Sequence, residues 1–245
     1  MAVSPPRSGA PSSTSLRSSP TRPPATKRRR PDQLSGGRHG LTADEVAASQ
    51  RARIVQAMTA AVGEHGYHGV RVADVVWRAG VSRKTFYELL GGKDDCFAAT
   101  YDHWLEWLLE VTFGAFETQS EWVDQLRAAI TALTGALARD PDVARLCFVE
   151  AIAAGGAAAR RREEGLRALA RLFDAAETPD GALGHALRAG RISELSETLR
   201  REIAEGRADS LHGLVPELMC SMVLPFLGIE AARRELARGG GGNGR

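Results

Sequence analysis

Apolar residues recur at intervals of three and four along most of this chain, and no run of four or more positions alternates apolar with polar. The first spacing lines side chains along one stripe of a helix, whereas a half-buried strand needs the second. The pattern confines the chain to an all-α fold. Ile54, Met58, Ala61 and Val62 make the first stripe. Ahead of them Thr42-Ala43-Asp44-Glu45 offers a hydroxyl N-cap with a Glu three residues on, a capping box, and the helix should end near His65. Residues 72–77 are apolar enough for a strand. Asp74 would fall in its middle, however, and Gly80 stands where a helix C′ glycine belongs, so the segment reads as helix. Ser82 is a natural N-cap for residues 83–90. Lys93 then opens a longer helix striped by Phe97, Tyr101, Trp104 and Leu108.

Further stripes follow. Leu126, Ile130, Leu133 and Leu137 mark a helix that stops at Asp140-Pro141, with proline suited to the first turn of the next. Val143, Leu146 and Val149 begin that next helix, which fades at Gly155-Gly156. Leu166, Leu169 and Phe173 mark another, ending near Thr178-Pro179. Residues 180–191, rich in glycine, read as a loop with a short helix. A stripe of Leu195, Leu199 and Ile203 precedes helical stretches at 211–224 and 229–237, and residues 239–245 should be disordered.

The formal net charge of +2 is unevenly spread. Residues 1–40 hold eight Lys or Arg and one Asp, together with seven prolines and eight serines. The remaining 205 residues are mildly acidic. A segment so poor in apolar surface cannot offset its chain entropy and should be a disordered basic tail. Its run Lys27, Arg28, Arg29 and Arg30 fits nucleic acid, and equally a solvated tail without a partner. The longest charge-free stretch, residues 218–229, is shorter than the roughly 20 apolar residues of a membrane span, and no secretory signal is visible. Neither a membrane nor a cofactor is therefore expected, and the cytoplasm is the expected compartment. Cys96, Cys147 and Cys220 are too few for a disulfide scaffold and lack metal-ligand spacing. The six histidines form no HExxH pair and no nucleophile-base arrangement. Cys96 and His103 share a helix face, but a packed thiol is the ordinary reading, so no metal site is expected.

Function is legible in sixteen residues, Val72-Ala73-Asp74-Val75-Val76-Trp77-Arg78-Ala79-Gly80-Val81-Ser82-Arg83-Lys84-Thr85-Phe86-Tyr87. They spell helix, tight turn, hydroxyl cap, second helix: a helix-turn-helix, whose second helix enters the DNA major groove. Phe86, Leu89 and Leu90 share the inward face. Lys84, Tyr87 and Glu88 lie opposite, with Thr85 beside them and Arg83 at the exposed first turn. Such side chains at a helix start read base edges and hold phosphates.

Residues 50–101 resemble the DNA-binding domain of tetracycline-repressor-type (TetR-type) regulators. The resemblance is carried by Gly66-Tyr67, Val72-Ala73-Asp74-Val75, Ala79-Gly80-Val81-Ser82, Thr85-Phe86-Tyr87 and Lys93-Asp94-Asp95-Cys96-Phe97. Ile203-Ala204-Glu205-Gly206-Arg207-Ala208 and Pro225-Phe226-Leu227-Gly228 look like the C-terminal ends of some members. The resemblance implies a tail (1–40), a DNA-binding head (41–92), a helical regulatory and dimerisation body (93–238) and a short end (239–245). It implies a homodimer on a double-stranded DNA operator, with Arg71, Ser82, Arg83, Lys84, Thr85, Tyr87 and Lys93 at the DNA. Tyr87 and Lys93 would be on phosphates. Arg71 stands where the family has a capping Thr, so that cap is lost or moved. Trp77 and Leu90 depart from the family pattern in ways that read as repacking. Glu88 reads as a solvated or Arg-paired side chain.

The aromatics Trp104, Trp107, Phe113, Phe116, Trp122, Phe148 and Phe173 either line an apolar ligand pocket or form plain core. The stripe from Leu195 to Ile203, with Leu214, Leu218, Met222 and Phe226, is either a dimer face or subunit core. The leading expectation is a homodimeric transcriptional repressor of the cytoplasm and its nucleoid, not an enzyme. A small apolar or amphipathic effector of unknown binding residues would release it from a near-palindromic operator. A DNA-binding protein without sequence choice and a helical enzyme are the alternatives.

Overall fold

The computed structural model describes residues 42–176 and 181–239. The basic tail with residue 41, residues 177–180 and residues 240–245 lie outside them. The described residues belong to one compact unit, so the expected division at residue 92 falls inside it.

Ten α-helices make up the bulk of the described residues: α1 (Ala43–Gly69), α2 (Val72–Ala79), α3 (Arg83–Leu90), α4 (Lys93–Phe116), α5 (Trp122–Arg139), α6 (Pro141–Arg145), α7 (Ala151–Ala154), α8 (Gly156–Leu169), α9 (Ala182–Ala204) and α10 (Val215–Gly239). A π-helical turn, Leu146–Glu150, joins α6 to α7, and 3-10 turns cover Ala170–Phe173 and Ala208–Leu214. The caps follow the local chemistry. Thr42 Oγ1 accepts the Glu45 N–H at 3.2 Å and the Glu45 carboxylate accepts the Thr42 N–H at 2.7 Å. Asp140 accepts the Val143 N–H at 3.2 Å, with Pro141 in the first turn of α6.

Helix α9 corrects the sequence reading of residues 180–191. It runs unbroken from Ala182 through Gly184 and Gly190. Interior glycine weakens a helix by about 1 kcal/mol, but burial of Ile192, Leu195, Leu199 and Ile203 along one face outweighs it here. The segment Ala208–Arg238 is more apolar than a count of charge-free runs suggests. By length and composition it is apolar enough to cross a membrane, with a mean hydropathy of 1.5 in a window only 28% buried. Glu217 is the one charge in its apolar stretch, residues 210–229, and a count of charge-free runs overlooks such a segment. Its helix, α10, is kinked at Gly228 (φ 75°) and packs on α5 and α9. The Arg127–Glu235 ion pair ties its far end to α5. Pro225 has no N–H for the Ser221 carbonyl one turn back. Arg191 donates to that carbonyl at 3.4 Å instead, and the Ser221 hydroxyl donates to Glu194 at 2.7 Å.

Helix α4 packs on α1 and α3 at one end and on α5 and α8 along its body. Trp104 Nε1 donates to Thr59 Oγ1 at 2.8 Å, fixing α4 to α1. A second attachment comes through α6 and the π turn. Gly63 lets α6 approach α1 closely, since a Cβ there would fall 2.1 Å from an Asp142 carboxylate oxygen. One turn on, Gly66 takes φ 65° and ψ 163° and breaks α1 just past His65. The freed Tyr67 N–H donates to Glu150 at 2.8 Å, and the other Glu150 oxygen accepts from Arg145 at 2.8 Å. Glu150 is buried.

Gly66 and Gly80 should respond differently to asparagine. Gly80 (φ 66°, ψ 29°) is left-handed helical, a conformation asparagine tolerates. Gly66 occupies a region that is essentially glycine's alone, and a Cβ there would lie 3.3 Å from the Glu150 carboxylate. Urea denaturation should show Gly80→Asn within about 1 kcal/mol of wild type and Gly66→Asn destabilised by about 1–3 kcal/mol.

Candidate nucleic-acid interface

Helix α3 is anchored from inside and open outside. Phe86 is fully buried, Val81 is buried in the turn before it, and Leu89 and Leu90 are half-buried against the core. Gly80 closes α2 in the left-handed conformation, its N–H donating to Trp77 O at 3.3 Å. Ser82 then caps α3, its Oγ accepting the Thr85 N–H at 3.0 Å and lying 2.8 Å from Thr85 Oγ1. These bonds leave Arg83, Lys84, Tyr87 and Glu88 pointing outward, with Tyr87 48% exposed. Lys84 Nζ sits 3.7 Å from Glu88 along the same helix face. Both side chains are largely exposed, so the pair is screened and adds little stability. Glu88 is therefore paired with Lys84, where the sequence suggested arginine or solvent.

The expected phosphate contacts differ among themselves. Arg71 is exposed at the N-cap of α2, has no side-chain acceptor to cap with, and makes no ion pair among the described residues. The lost cap is replaced from inside the helix, where Asp74 accepts the Arg71 N–H at 3.2 Å. Lys93 is half-buried, its Nζ 4.3 Å from the Tyr67 ring centre. The Tyr67 hydroxyl donates to Asp94 at 2.5 Å, and burial together with that carboxylate pushes its pKa up to about 12. Tyr67 thus stays neutral and holds Lys93 on its ring face, a cation–π contact. Ser82 and Thr85 are engaged in the cap; Arg83, Lys84 and Tyr87 form the open part.

Two residues were misjudged or missed in the sequence. Trp77 is 64% exposed, so it is not repacked into the core. Leu90, by contrast, does pack against it. Arg53 on α1 was not singled out. Its guanidinium lies 3.4 Å from where a Gly80 Cβ would stand, beside the turn, and it makes no ion pair among the described residues. Nearby Arg78 is held by both oxygens of Glu64. Arginines at stripe-flanking positions of α1 look alike in sequence, and only the packing of α1 on α2 sets Arg53 apart.

The body holds a cavity between α4, α8 and α9, walled by Leu105, Leu108, Leu166, Leu195 and Leu199 among others. Its volume is about 40 Å³, and one side stands partly open to solvent. Of the aromatics singled out in the sequence, Phe148 lines it. Trp122, Phe173 and Phe226 instead form a cluster with ring centres 5.4–6.0 Å apart, and Trp122 donates to Leu172 O at 2.8 Å. The stripe of Leu195, Leu199, Ile203, Leu218 and Met222 is buried within the one chain. Those residues are subunit core. The exposed apolar side chains of this end are Leu183 on α9 and Leu224, Leu227, Ile229 and Leu236 on α10.

Residues 54–100 match the family of bacterial regulatory proteins of the tetR type. Over 87 residues, 36% of this chain and 44% of the relative, the sequence is 28% identical to the uncharacterised HTH-type transcriptional regulator YezE of Bacillus subtilis. The matched stretch is thus under half the length of that relative. The fold is shared with the fatty acid degradation regulator FadR of Bacillus halodurans (TM-score 0.63, 17% identity, 71% of this chain and 94% of that one). It is shared as well with FadR of Bacillus subtilis, solved in complex with stearoyl-CoA (TM-score 0.62, 19% identity, 73% and 98%). An all-helical fold and a helix-turn-helix whose second helix stands open on one face accord with the match of residues 54–100 to the tetR family of bacterial regulatory proteins.

Proposed function

We propose that the protein is a homodimeric transcriptional repressor of the cytoplasm and its nucleoid, released from a near-palindromic operator by a small ligand. The observation that carries this reading is α3, fixed by buried Phe86 and presenting Arg83, Lys84 and Tyr87 outward from its first two turns. In the major groove those three would meet base edges and phosphates, while Arg71, Arg53 and Lys93 would hold flanking phosphates. Ser82 and Thr85 would set the height of the helix over the groove, their hydroxyls being spent on the cap. Residues 41–92 would form the head and 93–238 the body. The basic tail would add affinity by tracking phosphates without setting sequence choice.

The exposed apolar side chains Leu224 and Leu227 on α10, with Leu183 on α9, support a dimer face there. Two heads joined this way would read half-sites placed by the dimer. The cavity supports ligand response. Its volume of about 40 Å³ is small beside an organic ligand, so a ligand would part α4 from α8 and α9 on entering. It would bind an opened state and draw the population toward it. Cys147 and Phe148 of the π turn line the cavity, and the same turn ends in Glu150, which holds the Tyr67 N–H. Parting the walls would thereby shift the head. FadR of Bacillus subtilis holds stearoyl-CoA, which makes acyl-chain compounds the first ligands to try.

Operator DNA selected from random sequence, titrated by fluorescence anisotropy, tests the DNA reading. Lys84→Ala and Tyr87→Phe should weaken binding with unchanged helicity by circular dichroism. Arg53→Ala should lower the slope of log K against log salt by about 0.9, the share of one phosphate. Loss of helicity in either α3 variant would make that residue core instead. For the dimer, Leu224→Lys with Leu227→Lys should give folded monomers in sedimentation velocity, and an unchanged dimer would move the interface elsewhere.

A further inference from the structure

The apolar cavity contains an unexpected set of donors. Arg162 of α8 lines it, half-buried, and donates to the Ser196 hydroxyl at 2.9 Å. It forms no ion pair among the described residues. The neighbouring carboxylates are spoken for elsewhere. Arg161 takes Asp102 at 3.2 Å and Glu164 at 2.9 Å, and Glu197 pairs with Arg200. Ser196 is 3% exposed and spends its oxygen on Arg162, which leaves its own O–H to give. Across the cavity Tyr101, also 3% exposed, has a hydroxyl with no hydrogen-bond partner among the described residues. Burial raises its pKa further above the ordinary tyrosine value, so it stays a donor. The other polar hydroxyl on the wall, Thr112, is satisfied by Leu108 O at 2.6 Å.

A cation and two hydroxyls stand in a wall built largely of leucine and other apolar side chains. A group that could accept from all three at once is an anionic oxygen pair. The slot beyond them is narrow, which favours an unbranched chain over a ring system. We infer that the cavity takes an amphiphile whose narrow apolar chain ends in a free carboxylate, held by Arg162, Ser196 and Tyr101. The inference rests on reading the cavity as the effector site and adds the chemistry of the ligand's head. A thioester at that end would bring no charge to Arg162.

Isothermal titration of the full-length protein with sodium decanoate, decan-1-ol and decanoyl-CoA separates the possibilities. Decanoate should bind once per chain, at least about tenfold tighter than the alcohol, as a charge-assisted hydrogen bond requires. Arg162→Gln should remove that preference while leaving the alcohol's affinity unchanged, and Tyr101→Phe should reduce decanoate binding severalfold. Circular dichroism checks the fold, and should Arg162→Gln unfold, Tyr101→Phe and Ser196→Ala carry the same comparison. Equal affinity for acid and alcohol, or a preference that survives in the variants, overturns the carboxylate head and leaves the effector site standing. Tighter binding of decanoyl-CoA that ignores Arg162→Gln overturns it in favour of the thioester. Binding of none of the three overturns the effector-site reading and the inference with it.

Discussion

One buried carboxylate holds the two ends of this molecule in register. Glu150 sits in the core, one oxygen on the Tyr67 N–H and the other on Arg145, and the contact spans 83 residues of sequence. A charge in such a place is tolerated only while its partners are there. The surroundings are arranged to keep them there. Gly66 opens α1 so that the Tyr67 N–H is free to give. Gly63 lets α6 lie close on α1, and the π turn Leu146–Glu150 brings the carboxylate to the break. A π turn inserts one extra residue per turn, and such turns recur at functional sites. Here it lets Cys147 and Phe148 reach the cavity while Glu150 reaches the other way.

Helix α3 and the cavity thus depend on a common frame. The Tyr67 side chain carries Lys93 on its ring and its hydroxyl holds Asp94, so the start of α4 is tied to the same residue whose backbone Glu150 grips. Helix α4 in turn supplies Tyr101, Leu105 and Leu108 to the cavity wall. The narrow slot sits at one separation of α4 from α8 and α9. On the proposed reading, a ligand that widens it would favour the wider state through its differential affinity, as population shift requires. Leu105 packs into the space left by Gly165, where a Cβ would stand 2.7 Å from it.

Much of this was legible in the residues. The capping box at Thr42, the left-handed Gly80, the Ser82 cap and the Asp140-Pro141 boundary are local devices, each a short-range bond between neighbours, and they stand in the structure as their spacing predicts. The outward set of α3 follows from Phe86 alone once the helix is granted. What the sequence hid depends on packing at long range. Residues 180–191 look like loop because three glycines outweigh the apolar positions locally, while burial of one face settles residues 182–191 as helix. Trp77 looks like core because it is large and apolar, yet α2 turns it to solvent. Leu195, Leu199 and Met222 read equally as dimer face or core, since a stripe says which residues share a side and not what covers it. Arg53, Arg162 and Glu150 carry no local signal at all. Their meaning lies in what is missing or present beside them in space.

The claim that the head is held through Glu150 and freed from the cavity is tested most directly at one amide. Hydrogen exchange at Tyr67, followed by NMR, should be as slow as in the core of α4 and α5 for the free protein. It should quicken severalfold or more when a ligand fills the cavity, while the amides of α3 beyond its first turn stay protected. A Tyr67 amide that exchanges like a surface group in the free protein, or one that a bound cavity ligand leaves unchanged, would contradict the account.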